Sequence, residues 1–313
     1  MTFTNSLGYE MEVSANHGDL TRLQAQLSQW ESQNTDNSIP LEERLGFKLS
    51  PPEIEEVHRA LDLPFPPGPY REPEKIDPIY FMLNRLMIQA AKKDQVNVIQ
   101  YLLEERRWAV SRIAVRRAMA TYSFAVLELF QEFGWDINEP VSAYQCSILR
   151  KVVNSEPRVR WCLIHGADPN SQNIGKNIDV LSHAGEYAFI PVLELLAAHG
   201  GDFRRSNALH CAAHGRVGYS TEEERIEVLA WLLEKTGIDI NQRKHEFSSM
   251  DSWRRDTMET ALHCAVMSNA LGCVRFLLEK GIDAGLRDFQ GKTARDLAVE
   301  NGYHEAVKIL DGQ

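Results

Sequence analysis

The apolar positions of this chain fall in short clusters that repeat. Residues 260–266 read Thr-Ala-Leu-His-Cys-Ala-Val, and residues 207–213 read Asn-Ala-Leu-His-Cys-Ala-Ala. Residues 293–298, Thr-Ala-Arg-Asp-Leu-Ala, repeat the opening of the motif, and His263 and Asp296 occupy the same slot 33 residues apart. Each of the first two motifs is followed by a run with apolar pairs at helical spacing, Val228 to Asp239 and Val274 to Asp283, that closes on Gly-x-Asp. Asp136, Asp168 and Asp202 mark the same closing position upstream, and the four successive spacings 32, 34, 37 and 44 define a repeat whose later members carry insertions. Residues 32–79 interrupt the pattern. There Ser50-Pro51-Pro52-Glu53 predicts a helix start running to about Leu61, and Pro64-Phe65-Pro66-Pro67-Gly68-Pro69 reads as an extended linker.

The motif and its period together resemble the ankyrin repeat family, whose units carry Thr-Pro-Leu-His-x-Ala over about 33 residues. The organisation, with little besides repeats, is similar to the ankyrin-only proteins common in filamentous fungi. The resemblance implies an all-α solenoid of about eight helix-turn-helix units with short β-hairpins, stacked in a right-handed sense. It implies a capping unit over 1–31, an acidic and Pro-rich insertion with one helix over 32–79, and a repeat array over 80–311. Insertions fall near 216–224, between two helices, and near 242–258, at a hairpin. Paired apolar positions such as Leu193, Leu195 and Leu196 face the next unit, and stacking supplies the core. His210, His263, Thr260, Thr293 and Gly281 are then structural residues of the repeat.

Composition narrows the partners. Of 313 residues 43% are hydrophobic and 25% charged, enough for a sizeable core, and the formal net charge is −10. That balance predicts no nucleic-acid binding, because a counterion-displacing surface needs excess cations. No apolar run approaches the roughly 20 residues of a membrane span, so no membrane partner is expected. Five cysteines without framework spacing, and an N-terminus without a basic head or apolar run, predict an intracellular protein, cytoplasmic or nuclear. The acidity is concentrated: residues 1–80 carry net −8. Residues 81–160 carry net +4 and contain Arg106, Arg107, Arg112, Arg116 and Arg117, a basic patch whose nearest acidic match is the chain's own N-terminal quarter. Arg116 and Arg117 read as filling the His and Leu slots of their repeat.

Candidate chemistry mostly dissolves into packing. His210-Cys211 with His214, and His263-Cys264, have the residue types of a zinc site, but the repeat explains the paired His and Cys, so no metal and no cofactor are expected. Gly291-Lys292-Thr293 lacks the earlier glycine of a phosphate loop, and no Gly-x-Ser-x-Gly or Gly-x-Gly-x-x-Gly occurs, so no catalytic residue is assigned. Acidic pairs such as Glu222-Glu223 read as solvated faces. The resemblance places partner contacts at hairpin tips: Phe203, Arg204, Arg205, Gln242, Arg243 and Arg287, joined by Phe247, Trp253, Arg254 and Arg255 from the long insertion. The leading expectation is a non-catalytic scaffold that binds a protein partner through the concave hairpin and inner-helix face. The alternative is a small-molecule-processing protein whose pocket is closed by the 32–79 and 242–258 insertions.

Overall fold

The computed structural model describes residues 7–34, 41–61, 76–140, 147–172, 179–214, 221–244, 246 and 258–312. Among them are 18 α-helices and no strand; the hairpin expectation reduces to one isolated antiparallel bridge, Arg287 with Thr293. Sixteen of the helices form eight consecutive pairs, and two lie in the first insertion. The chain divides into two compact units, Met1–Asp136 and Ile137–Gln313.

The first unit contains the pairs α1 (Leu7–His17) and α2 (Leu20–Gln33), α5 (Pro78–Ala91) and α6 (Val96–Glu104), and α7 (Arg112–Thr121) and α8 (Phe124–Glu132). The first helices of each pair, α1, α5 and α7, stack more closely than the second helices do. Between the first and second pairs lie α3 (Leu41–Leu45) and α4 (Pro51–Ala60). The α4 start follows from local chemistry: Glu53 Oε2 accepts from Ser50 N at 3.0 Å and from Ser50 Oγ at 2.5 Å, with proline in the first turn. Pro64–Pro69 and the remainder of the linker reading lie outside the described residues.

The second unit contains α9 (Leu149–Val152) with α10 (Glu156–Ile164), α11 (Val180–Tyr187) with α12 (Ile190–Ala198), and α13 (Ala208–His214) with α14 (Glu222–Lys235). It ends with α15 (Ala261–Met267) and α16 (Leu271–Glu279), then α17 (Ala294–Glu300) and α18 (His304–Leu310). A Cβ at Gly185 would lie 2.4 Å from the Ala208 carbonyl oxygen, so the approach of α11 to α13 requires that residue to lack a side chain. Gly281, at φ 85°, ends α16 in the left-handed region that glycine occupies without strain. Leu193 and Leu196 are fully buried as expected, while Leu195 is half-buried.

Side-chain amides tie the turns of neighbouring pairs. Asn138 Nδ2 donates to Gly166 O at 2.9 Å while its Oδ1 accepts from Asp168 N at 2.7 Å. Asn170 repeats both bonds to Gly200 O and Asp202 N, each at 2.9 Å. Asn241 Oδ1 accepts from Asp283 N at 2.9 Å. Each asparagine sits two residues after the closing aspartate and satisfies backbone groups that the helix end leaves without an intrahelical partner.

The acidic stretch Glu222-Glu223-Glu224 is not a loop. It is the first turn of α14, capped by Thr221, where three carboxylates meet the positive end of the helix. Glu222 also reaches the next pair: its Oε1 accepts from Gly272 N at 2.7 Å and Cys273 N at 3.4 Å. Helix α16 has Ala270 at its N-cap, a residue that cannot cap, and the neighbouring glutamate supplies the missing acceptor.

Candidate interaction surface

The two histidines at equivalent repeat slots fasten one repeat to the next. His263 Nδ1 accepts from Thr260 N at 3.2 Å and from the Thr260 hydroxyl at 2.8 Å, which leaves Nε2 to donate to Lys292 O at 3.1 Å. Both ring nitrogens are thus committed to a neutral ring, and burial holds its pKa below the usual histidine value. His210 Nε2 bonds Gln242 O at 3.0 Å in the same manner. Thr293 caps α17, accepting from Asp296 N at 3.2 Å, with Asp296 in the slot that histidine holds elsewhere.

The hairpin-tip residues separate into two sets. Phe203 and Gln242 are not surface residues. Phe203 is 1% exposed and packs edge-on against Trp231 with ring centroids 5.5 Å apart. Gln242 is 2% exposed and donates through Nε2 to Ser206 O at 3.0 Å. Both were expected at a partner interface; each instead fills the space between adjacent repeats, the ring by packing and the amide through its Nε2 bond. Arg243 is also committed, donating from Nη1 to Arg287 O at 2.6 Å and Met258 O at 3.2 Å. The second set faces outward. Arg204 and Arg287 have side chains 64% and 63% exposed, and Arg205, next to Arg204 in sequence, is exposed too. Arg204 pairs with Asp202 at 2.8 Å, a contact that holds the carboxyl below the usual range, and Arg287 lies 3.7 Å from Asp296. Phe247, Trp253, Arg254 and Arg255 lie outside the described residues.

Two residues on this surface, Phe289 and Glu259, escaped the sequence reading. Phe289, at the tip of the last hairpin, is 58% exposed. An apolar residue within Asp288-Phe289-Gln290-Gly291 was a legible signal. Lys244 and Glu259 pair at 3.3 Å beside the first turn of α15, where Glu259 Oε2 also accepts weakly from Cys264 Sγ at 3.8 Å. Nothing in the sequence joins them, because fifteen positions separate the two. Arg205 lines a cleft of about 420 Å³ together with Asn170, Gln172, Asp179, Leu181, Asp202 and Ser206. Burial raises the pKa of Asp179 there, although Ser182 donates to it from both N and Oγ, at 2.6 and 2.5 Å.

The described cysteines, Cys162, Cys211, Cys264 and Cys273, are free thiols. Burial pushes Cys162 and Cys264 up to about 12 and Cys273 to about 11, and raises Cys211 as well. Among the described residues no cluster of three or more His, Cys, Asp or Glu could hold a metal ion, and no helix is long and apolar enough to cross a membrane.

In the first unit the face of the inner helices is occupied. Helices α3 and α4 pack on α5, and α4 also on α7. Arg85 on α5 binds two carboxylates, Glu12 Oε1 through Nε at 3.1 Å and Glu53 Oε1 through Nη1 at 2.5 Å. Glu56 Oε1 accepts from Arg112 N at 2.5 Å, at the N-terminus of α7, and from Arg59 Nη2 at 2.6 Å. The basic patch thus meets the acidic N-terminal quarter in part: Arg106 pairs with Glu31, and Arg112 offers its backbone amide to Glu56. Arg107 and Arg117 are exposed, and Arg116 is half-buried. One slot assignment needs correction. Ser111 caps α7, so the third helical position, where His263 stands in its own repeat, is Ala114. Arg116 and Arg117 lie two and three residues beyond it and replace neither the histidine nor the leucine.

A family model of three ankyrin repeats matches residues 245–312, and one of a single ankyrin repeat matches residues 205–245. Among curated proteins, alpha-latrotoxin-Lg1a of Latrodectus geometricus is 33% identical over 122 residues, 39% of this chain and 8% of the toxin. NF-kappa-B inhibitor alpha of Rattus norvegicus is 37% identical over 71 residues, 23% of this chain and 22% of that protein. Potassium channel AKT1 of Arabidopsis thaliana is 45% identical over 56 residues, 18% of this chain and 6% of the channel. The chain therefore spans less than a quarter of the length of each of these relatives. Ankyrin repeats are protein–protein interaction modules, and the paired helices, the Thr260–His263 cap and the matched residues agree: this chain is an ankyrin repeat protein.

Proposed function

We propose that this chain is a non-catalytic adaptor that binds a protein partner through the hairpin tips and inner-helix face of Ile137–Gln313. The observation that carries the reading is the outward set Arg204, Arg205, Arg287 and Phe289, displayed on turns that the Asn170 and Asn241 bonds hold fixed. Exposed arginine and aromatic side chains on a rigid base have the composition of interface hot spots, because little conformational freedom is lost when they are covered. The charge of the tips favours a partner surface rich in carboxylates. The residues best suited to chemistry are otherwise engaged: His263 has both nitrogens in structural bonds, and the buried thiols are held far from ionisation. The free, buried thiols of Cys162, Cys264 and Cys273 fit a reducing compartment, cytoplasm or nucleus.

The test is recovery of partners by proximity labelling in the native cell, with a charge reversal at the tips (Arg205→Glu with Arg287→Glu) against a reversal on the outer helix (Lys280→Glu). Loss of a specific set of proteins with the first variant alone supports the reading. Equal recovery with both variants would overturn it.

A further inference from the structure

The first unit shows an occupied binding surface, and the identity of the occupant specifies what else fits there. The surface has three polar elements. The Arg85 guanidinium holds Glu53 at 2.5 Å, the Arg112 amide at the start of α7 holds Glu56 at 2.5 Å, and the Val110 carbonyl accepts from Arg59 Nη2 at 2.8 Å. All three ligand groups come from α4, on positions i, i+3 and i+6 of one helix face, with Val57 fully buried beside them. A guanidinium and the positive end of a helix form a receptor for two carboxylates at this spacing.

The occupant is held by polar contacts more than by apolar ones. Among the ten residues of α4, the buried set is Glu53, Glu56, Val57 and His58, so one aliphatic side chain is fully desolvated against two carboxylates. A helix of ten residues is marginal in isolation, so α4 keeps its form because the surface holds it. Burial of a single valine adds little beside these contacts, and the ionic contacts weaken with salt.

We propose that Arg85, the N-terminus of α7 and the Val110 carbonyl form a docking groove for an acidic amphipathic helix, that α4 fills the groove in cis, and that a partner helix of the same chemistry displaces it. The groove is open to a helix with carboxylates at i and i+3, a β-branched residue at i+4 and an arginine at i+6. A tethered occupant competes at an effective concentration of about 1 mM, so the trans ligand binds weakly until α4 is released. The surface belongs to a different unit from the hairpin tips, so its failure would leave the adaptor reading standing.

The experiment uses the full chain and a fluorescein-labelled peptide of residues 48–61. The wild type is compared with a double variant, Glu53→Lys with Val57→Asp, whose own α4 no longer matches the groove. Anisotropy is expected to show the peptide binding the variant at least roughly tenfold tighter than the wild type, the factor set by loss of the tethered competitor. Adding Arg85→Glu to the variant is expected to abolish binding. Equal affinity for both proteins, or no binding to a variant that keeps its cooperative thermal transition, would overturn the proposal. Salt-induced dimers of the wild type that the peptide dissolves would assign the groove to α4 of a second copy, and would overturn the partner helix. Should the variant lose its transition, hydrogen exchange on the wild type decides. Amides of α4 exchanging ahead of those of α5 and α7, and faster at about 0.5 M salt than at 0.05 M, support it. Exchange of α4 in step with α5 sinks it.

Discussion

The two compact units use one repeat plan and expose different parts of it. In Met1–Asp136 the inner-helix face carries α3 and α4, and α5 is buried on nearly every side, from Phe81 and Met82 through Asn84 to Ala91. In Ile137–Gln313 the first helices are short, seven or eight residues in α11, α13, α15 and α17, and arginines and Phe289 stand out from the turns between pairs. The difference shows that a repeat surface is defined by what covers it as much as by its own residues. Ion pairs make the same point. Arg85 lies between two carboxylates on a part-buried surface, whereas Arg204 and Arg287 meet theirs in solvent, where such pairs contribute little to stability and remain available to a partner.

The comparison is broken most severely by testing where Phe203 resides. If it fills the space against Trp231, Phe203→Ala should lower stability by about 3–5 kcal/mol in chemical denaturation, whereas a surface residue would change it by less than about 0.5. An unchanged midpoint would return Phe203 to the list of partner contacts. The thiols provide the next contrast, because all five cysteines lie beyond residue 137. A thiol whose folded pKa is raised keeps its proton in the native state and loses it in the unfolded chain, so stability is full below the unfolded value of about 8.5 and falls as pH rises above it. With Cys162 and Cys264 raised to about 12 and Cys273 to about 11, the second unit should lose roughly 1 kcal/mol per thiol between about pH 8.5 and 10. Replacing the three by alanine or serine should flatten that slope, and a slope that persists would assign it to other groups.

Arg85→Gln should cost about 2 kcal/mol in the first unit, since Glu12 and Glu53 are left facing each other across a part-buried surface. The loss should shrink at high salt; a salt-independent loss would point to packing of the Arg85 stem over Phe47, whose ring centroid lies 5.0 Å from the guanidinium carbon. The smallest expected effect is Glu222→Ala, which removes the borrowed cap of α16 and should cost about 1 kcal/mol. Restoring a local cap with Ala270→Ser in the same chain should recover most of it, and failure to recover would mean that Glu222 acts elsewhere.

Some of this organisation was legible in the residues. The Ser50-Pro51-Pro52-Glu53 signature specified α4 because capping is a matter of neighbours three positions apart. The Thr260-x-x-His263 slot specified its own hydrogen bond for the same reason. The assignment of Arg116 and Arg117 failed because a degenerate repeat offers no motif by which to set its register, and Ser111, the true cap, is followed three positions on by Ala114 with no polar partner to mark it. Glu222 read as a solvated carboxylate because its targets, Gly272 and Cys273, are fifty and fifty-one positions away.

Sequence by itself determined the repeat: the period, the helix pairs, the glycine that follows the second helix of each pair from α8 onward and the family. These depend on local backbone preferences and on apolar spacing, both written in consecutive residues. The tertiary structure alone decided which tip residues are buried and which are offered, because burial is set by the adjacent repeat and not by a residue's own character. Phe203 and Arg204 are neighbours in the chain, yet one is sealed against Trp231 and the other stands in solvent. It alone decided, too, that an acidic insertion lies on α5 and α7, since the pairing of Glu53 with Arg85 and of Glu56 with the α7 terminus is a long-range match of charge and hydrogen-bond geometry that no stretch of sequence encodes.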